Sequence, residues 1–178
     1  MAKKFFPFIV LCGFILAVIL YSSNAKVSFH AMDQSDIYTK SIVTTDEQFS
    51  INLDMDVLRS LCGTAVFEDS YGQIILTSAD LVSSDLLSLT FEAHGNVGAN
   101  TSTVLTACAY NEGFLQSNIS VTPTENVVVK YSFQSSEFEN YGNRFAISIF
   151  FPDHNSDKLK NLNLTFYDLL LISFSKNI

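Results

Sequence analysis

The chain has 178 residues, 13% of them aromatic, no tryptophan, and 18 acidic against 10 basic side chains for a formal charge of −8. An acidic surface without a basic cluster repels phosphate backbones, which leaves no nucleic-acid partner. Three prolines and seven glycines in the whole chain exclude a low-complexity or collagen-like protein.

Lys3 and Lys4 precede an uncharged run of 17 residues, Phe5 to Tyr21, and Ser23-Asn24-Ala25 follows it. Positive start, apolar stretch and small residues at the cleavage positions are the three parts of a signal peptide. The reading is a signal peptide over 1–25, cleaved before Lys26, and a single extracellular domain over 26–178. The run exceeds the usual ~7–15-residue signal core and sits at the short end of a membrane span. Pro7 and Gly13 interrupt a spanning helix, which favours cleavage. The alternative is an uncleaved N-terminal anchor, with the lysines cytoplasmic and the domain outside or in the lumen. Only that alternative brings in a membrane. Removal of Lys3 and Lys4 leaves eight basic residues against all 18 acidic ones, a formal −10.

Period-two alternation then dominates. A weak strand pattern covers Val27–Ala31, and another Tyr38–Thr44. Phe49, Ile51, Leu53, Met55 and Val57 share one parity, with Ser50, Asn52, Asp54 and Asp56 on the other, as in a strand with one buried and one wet face. Further strands are predicted near Ile74–Thr77, Leu87–Ala93, Val104–Tyr110 and Ser117–Val121. Stronger ones follow at Val127, Val129, Tyr131 and Phe133, and at Phe145, Ile147, Ile149 and Phe151. Turn chemistry marks Asp69-Ser-Tyr-Gly72, Gly95-Asn96, Asn111-Glu-Gly113 and Asn140-Tyr-Gly-Asn143. Helix signals are confined to a cap at Ser78-Ala-Asp80 before Leu81–Leu87 and a short piece between Asp54 and Leu61. The last strand, Leu162 to Phe174, is interrupted at Asp168, which a β-bulge would turn outward. The fold class is all-β: an antiparallel β-sandwich, jelly-roll-like, with about eight to nine short strands.

Cys12 leaves with the leader, so Cys62 and Cys108 remain and one disulfide is the economical pairing in an oxidising compartment. It would stabilise the fold by ~4 kcal/mol on the chain-entropy argument. Two separate thiols, or a bridge between chains, are the alternatives. Asn100-Thr-Ser102, Asn118-Ile-Ser120 and Asn163-Leu-Thr165 satisfy the N-glycosylation rule, the last two on the outward parity of strands. Asp153, Asn155 and Asp157 offer oxygen ligands at alternate positions, which suits Ca²⁺, but Lys158 and Leu164 stand where an EF-hand needs glycine and glutamate. No other cofactor is indicated. Asp54 and Asp56 share a wet face and read as solvated. His30, His94 and His154 lack local metal spacing. Tyr71, Tyr110 and Tyr141 lie near turns and strand ends, where they suit a binding patch.

No catalytic motif is present. The function indicated is a secreted glycoprotein acting as a binding or structural module for a protein or carbohydrate partner. The alternatives are an extracellular hydrolase with an Asp/His site built from separate loops, and a cell-surface protein held by its N-terminal segment.

Overall fold

Alternation with period two requires one face of each strand to be covered, and two stacked sheets achieve this in the computed structural model, which describes residues 27–98, 100–110, 113–123, 128–151 and 160–177. Among the described residues there is one helix, α1 (Phe29–Asp33), and a 3₁₀ turn at Leu58–Leu61. The strands are β1 (Tyr38–Thr44), β2 (Phe49–Asp54), β3 (Thr64–Asp69), β4 (Gly72–Ser83), β5 (Leu86–Val97), β6 (Thr101–Thr106) and β7 (Cys108–Tyr110). They continue as β8 (Phe114–Gln116), β9 (Asn118–Pro123), β10 (Lys130–Phe138), β11 (Gly142–Phe150), β12 (Asn161–Tyr167) and β13 (Leu170–Lys176). All described pairings are antiparallel, so the protein is an all-β, sandwich-like fold.

One layer runs β3-β4-β5-β11-β10, with Thr64, Leu76, Phe91, Phe145 and Ser136 in a single cross-strand row. The other layer has three long strands, each interrupted at one level. On one side of the interruption Thr44, Leu170 and Thr106 align, from β1, β13 and β6. On the other side Phe49, Phe166 and Ile119 align, from β2, β12 and β9. β5 joins the layers, because its last residues, Asn96 and Val97, pair with β6.

Parity predicts the core well. Phe145, Ile147, Ile149 and Phe151 are fully buried, and β2 alternates buried Phe49, Ile51 and Leu53 with exposed Ser50, Asn52 and Asp54. Each such burial contributes about 1.5–3 kcal/mol relative to an exposed side chain. Phenylalanine rings connect the layers: Phe166 meets Phe91 edge-on at 5.8 Å and stacks on Phe49 at 4.4 Å. Phe91 in turn stacks on Phe145 at 5.0 Å, so the aromatic contact crosses from one sheet to the other.

Several local expectations change. Val27–Ala31 gives α1 instead of a strand, because the Ser28 hydroxyl accepts from Ala31 N and helical spacing buries both Phe29 and Met32. The Ser78–Leu87 segment is the β4–β5 hairpin instead of a helix; Leu87, Leu89 and Phe91 point inward from β5 at strand period. Gly95-Asn96 is not a turn but the place where β5 changes layers. A Cβ on Gly95 would lie 2.3 Å from the Thr103 carbonyl oxygen and 2.6 Å from the Phe29 ring, so only glycine fits. Tyr131, expected inside, is 41% exposed; it lies on the edge strand β10, and its hydroxyl donates to the Ile119 carbonyl at 3.0 Å.

At Asp168 the expected single strand with a bulge is instead divided into β12 and β13, which pair in separate ladders. The φ of Asp168 is 56°, in the left-handed region that Asp tolerates better than most residues, and the shift of parity lets both Leu169 and Leu170 face the core.

Candidate functional site

α1 closes one end of the sandwich. Phe29 and Met32 plug the core, while Phe29 N donates to the Asn140 carbonyl (3.4 Å) and His30 N to the Glu139 carbonyl (3.1 Å). The same short segment lines two clefts. One, of about 620 Å³, lies between Ser28, the His94–Val97 end of β5 and the Asn140-Tyr141 turn. The other, of about 580 Å³, lies between His30, Asp33 and Gln34 of the α1 segment, Lys40 of β1, Tyr110, and Ser136 to Phe138 of β10.

The first cleft is built on an exposed ring. Glu139 N donates to the Gly142 carbonyl (2.8 Å), closing the β10–β11 turn, and Gly95 N donates to the Tyr141 carbonyl (2.8 Å). The backbone is thereby held to β5 while the Tyr141 side chain remains 69% exposed. His94 projects from the outer face of β5, since Phe91 and Ala93 take the inner one. Its ring lies 5.4 Å from the Tyr141 ring at a tilt of 39°. Glu92, two residues earlier on the same face, holds His94 Nε2 at 3.1 Å, which assigns the Nε2 proton to that contact. Asn96 Nδ2 donates to the Ser70 carbonyl (2.7 Å), tying the cleft wall to the β3–β4 turn.

The second cleft is richer in charge, but its lysine and histidine are already engaged. Lys40 Nζ is 2.8 Å from Asp33 Oδ1, donates to the Tyr110 carbonyl at 3.0 Å, and lies 4.9 Å above the Phe138 ring. His30 Nδ1 donates to the Phe138 carbonyl at 3.2 Å. Behind this wall Thr106 Oγ1 donates to Asn143 Oδ1 (2.7 Å), Asn143 Nδ2 to Ser136 Oγ (2.9 Å), and Ser136 Oγ to the Cys108 carbonyl (3.1 Å). These groups are linked to one another across layers.

The remaining sequence candidates fall in separate places. Tyr71, Tyr110 and Tyr141 do not form one patch: Tyr71 packs partly against the core, and the other two belong to different clefts. Asp54 Oδ1 accepts from Asp56 N (2.9 Å), a local turn with both residues exposed and no shared catalytic geometry. Asp153, His154, Asn155 and Asp157 lie outside the described residues, as does Val127. Among the described residues no group of three His, Cys, Asp or Glu side chains converges as a metal site.

Cys62 and Cys108 are not brought together. Cys62 precedes Thr64 at the β3 edge, and Cys108 contacts Ser136 on β10, at the other end of the same cross-strand row. Four inter-strand steps span roughly 19 Å, against the ~7 Å limit between Cα atoms of a disulfide. Each residue carries its own thiol. Burial pushes the Cys108 thiol up to about 12, with the Ser136 hydrogen bond acting in the opposite direction, so it stays protonated and unreactive.

Asn100, Asn118 and Asn163 are all exposed. Asn100 sits in the β5–β6 connection, where its carbonyl accepts from Lys176 N at 2.9 Å. Asn118 and Asn163 lie on the outer face of the β2-β12-β9 sheet.

Sequence reasoning missed Glu92, Asn96 and Asn140. Glu92 was accessible as a same-face neighbour of His94 on a strand, whereas Asn96 and Asn140 gain meaning only from the meeting of β5 with the β10–β11 turn. No protein-family model matches the chain, and no curated protein or solved structure is detectably similar to it.

Proposed function

We propose that the chain is a secreted glycoprotein whose β-sandwich is an extracellular binding module, and that the Tyr141 cleft takes a neutral saccharide. The supporting observation is the Tyr141 ring itself, 69% exposed yet fixed through its backbone to β5 and backed by His94. A pyranose has a face of C–H groups suited to such a ring and a rim of hydroxyls suited to polar neighbours. Those neighbours are present. The Ser28 hydroxyl, which accepts from Ala31 N, keeps its proton to donate, and Asn96 keeps its Oδ1 acceptor. Asn140 adds an amide to the cleft wall.

An open site with one aromatic platform predicts weak binding, with Kd on the order of 1 mM, or about −4 kcal/mol. Saturation-transfer NMR on the saccharide reads binding in this weak range without depending on the emission of any one of the seven tyrosines. Titration with neutral mono- and disaccharides is expected to change that NMR signal saturably. Tyr141→Ala abolishes the change and Tyr141→Phe retains it. Absence of a response to every saccharide, or an unaltered response in Tyr141→Ala, overturns the proposal.

A second reading, an extracellular hydrolase, draws on the Glu92–His94 pair, because a carboxylate-held imidazole is the base half of many hydrolytic sites. Turnover of chromogenic ester or glycoside substrates that disappears in His94→Gln would select it. Retention of the leader would put the same module at a cell surface, and N-terminal sequencing separates the two.

A further inference from the structure

We infer that the outer face of the β2-β12-β9 sheet is a glycan-covered face, and that Asp168 orients the sugar on Asn118. The inference rests on the chain entering the secretory pathway, and it adds which face the sugars take and what fixes one of them.

Both sequons lie within strands, and in both the middle residue is an inward one: Ile119 is 9% exposed and Leu164 fully buried. Strand period therefore puts each asparagine and its Ser120 or Thr165 hydroxyl on the same outward side. The pairings Asn118–Tyr167 and Asn163–Thr122 show that the two asparagines also share one face of one sheet. They are four residues apart along β12 and one strand apart across it, about 14 Å in an extended sheet. Between them the face carries hydroxyls: Ser50 pairs with Thr165 at 2.9 Å, and Ser120 with Thr122 at 3.4 Å, while Asp54 lies at its far end opposite Asn161. Two bulky, polar attachments suit a hydroxyl surface of this kind and prevent a flat protein partner from docking on it.

Asp168 supplies the asymmetry. Asn118 Nδ2 donates to Asp168 Oδ2 at 2.6 Å, and nothing comparable holds Asn163 among the described residues. In the transfer, Nδ2 attacks C1 of a lipid-diphosphate-linked oligosaccharide. The N–C1 bond forms, the C1–O bond breaks, the lipid diphosphate leaves with the electron pair, and one of the two Nδ2 protons is released to the solvent buffer. The remaining N–H is the one that can still donate to Asp168. That contact fixes the amide rotamer and hence the direction in which the sugar leaves the face. Because Ile119 and Leu164 are core residues, transfer has to precede closure of the sandwich, so Asp168 governs the glycan after attachment and not its occupancy.

The test is expression of the full chain in a secreting eukaryotic cell, with N-terminal sequencing and site-resolved glycopeptide mass spectrometry of the wild type, Asn118→Gln, Asn163→Gln and Asp168→Gly. Glycine keeps the left-handed backbone at 168 and removes the acceptor. The expected result is sugar at Asn118 and Asn163, with each Gln variant losing one glycan. Asp168→Gly leaves occupancy unchanged, shifts the Asn118 glycans toward more processed forms, and leaves those at Asn163 as they were. A secreted chain bare at either asparagine, or Asn118 glycoforms unmoved by Asp168→Gly, overturns the inference. A chain with an intact Met1 and no sugar overturns the secretory reading with it, so the leader distinguishes the two failures. Saccharide titration of the enzymatically deglycosylated protein tests the Tyr141 site separately.

Discussion

The two clefts beside α1 are similar in size and opposite in character. The Lys40 cleft has the greater charge, yet its lysine already meets a carboxylate, a carbonyl and an aromatic ring, and its histidine donates to the backbone. The Tyr141 cleft has fewer charges and presents a large ring to solvent. A cluster of titratable residues is therefore the poorer indicator of recognition here. Groups that satisfy one another stabilise the fold, and a group held in place without being covered remains available to a ligand.

The largest expected effect comes from removing what makes the Tyr141 cleft possible. Gly95→Ala forces a methyl group into the Thr103 carbonyl and the Phe29 ring, and overpacking against backbone is expected to cost about 3 kcal/mol or more. Chemical denaturation should show that loss together with loss of the saccharide response. Lys40→Ala comes next. It strands the half-buried Asp33 carboxylate and removes the contact with Phe138, at an expected cost of about 1–2 kcal/mol, while the saccharide titration stays at its wild-type value. If Lys40→Ala weakened saccharide binding as much as Tyr141→Ala, the contrast between the clefts would fail.

Alkaline pH gives a graded effect. The Cys108 thiol is raised to about 12 in the folded protein from an ordinary 9.0, so above pH 9 the unfolded chain ionises while the folded one stays protonated. Stability is fully present below that pH and falls by about 1.4 kcal/mol per pH unit up to the folded value. Cys108→Ala should flatten this slope in denaturation curves recorded between pH 8 and 11. Thiol labelling bears on the same residue: with the sandwich intact a disulfide reagent should modify Cys62 alone, and two thiols should react after unfolding. A native protein with no reactive thiol would instead indicate a bridge. The smallest effect on stability is that of Tyr141→Ala, expected within ~0.5 kcal/mol because the ring is exposed. Its effect on saccharide binding should be the most complete of the series.

Much of the architecture was legible in advance, and the limits have a common origin. The strands at Phe49–Leu53 and Phe145–Phe151 were readable because their faces differ in polarity at every step. The Asp168 break was readable because the apolar parity fails there. Val27–Ala31 misled because five residues fit either period, and the cap at Ser28 together with the open end of the sandwich selected the helix. Gly95-Asn96 resembles a turn in sequence, since the same glycine that permits a turn also permits two backbones to approach closely. The tyrosine patch was expected from position in loops, but loops adjacent in composition need not be adjacent in space.

The sequence by itself determined the fold class, the parity of each strong strand and the outward placement of Asn118 and Asn163. Those properties follow from backbone geometry acting over a few residues, and the chain carries them locally. Tertiary structure alone decided that Cys62 lies beside β3 and Cys108 against β10, that Tyr141 meets His94, and that Asp168 reaches Asn118. Each of those depends on which strands become neighbours and in which register, which is set by packing of the whole core around Phe91, Phe145 and Phe166.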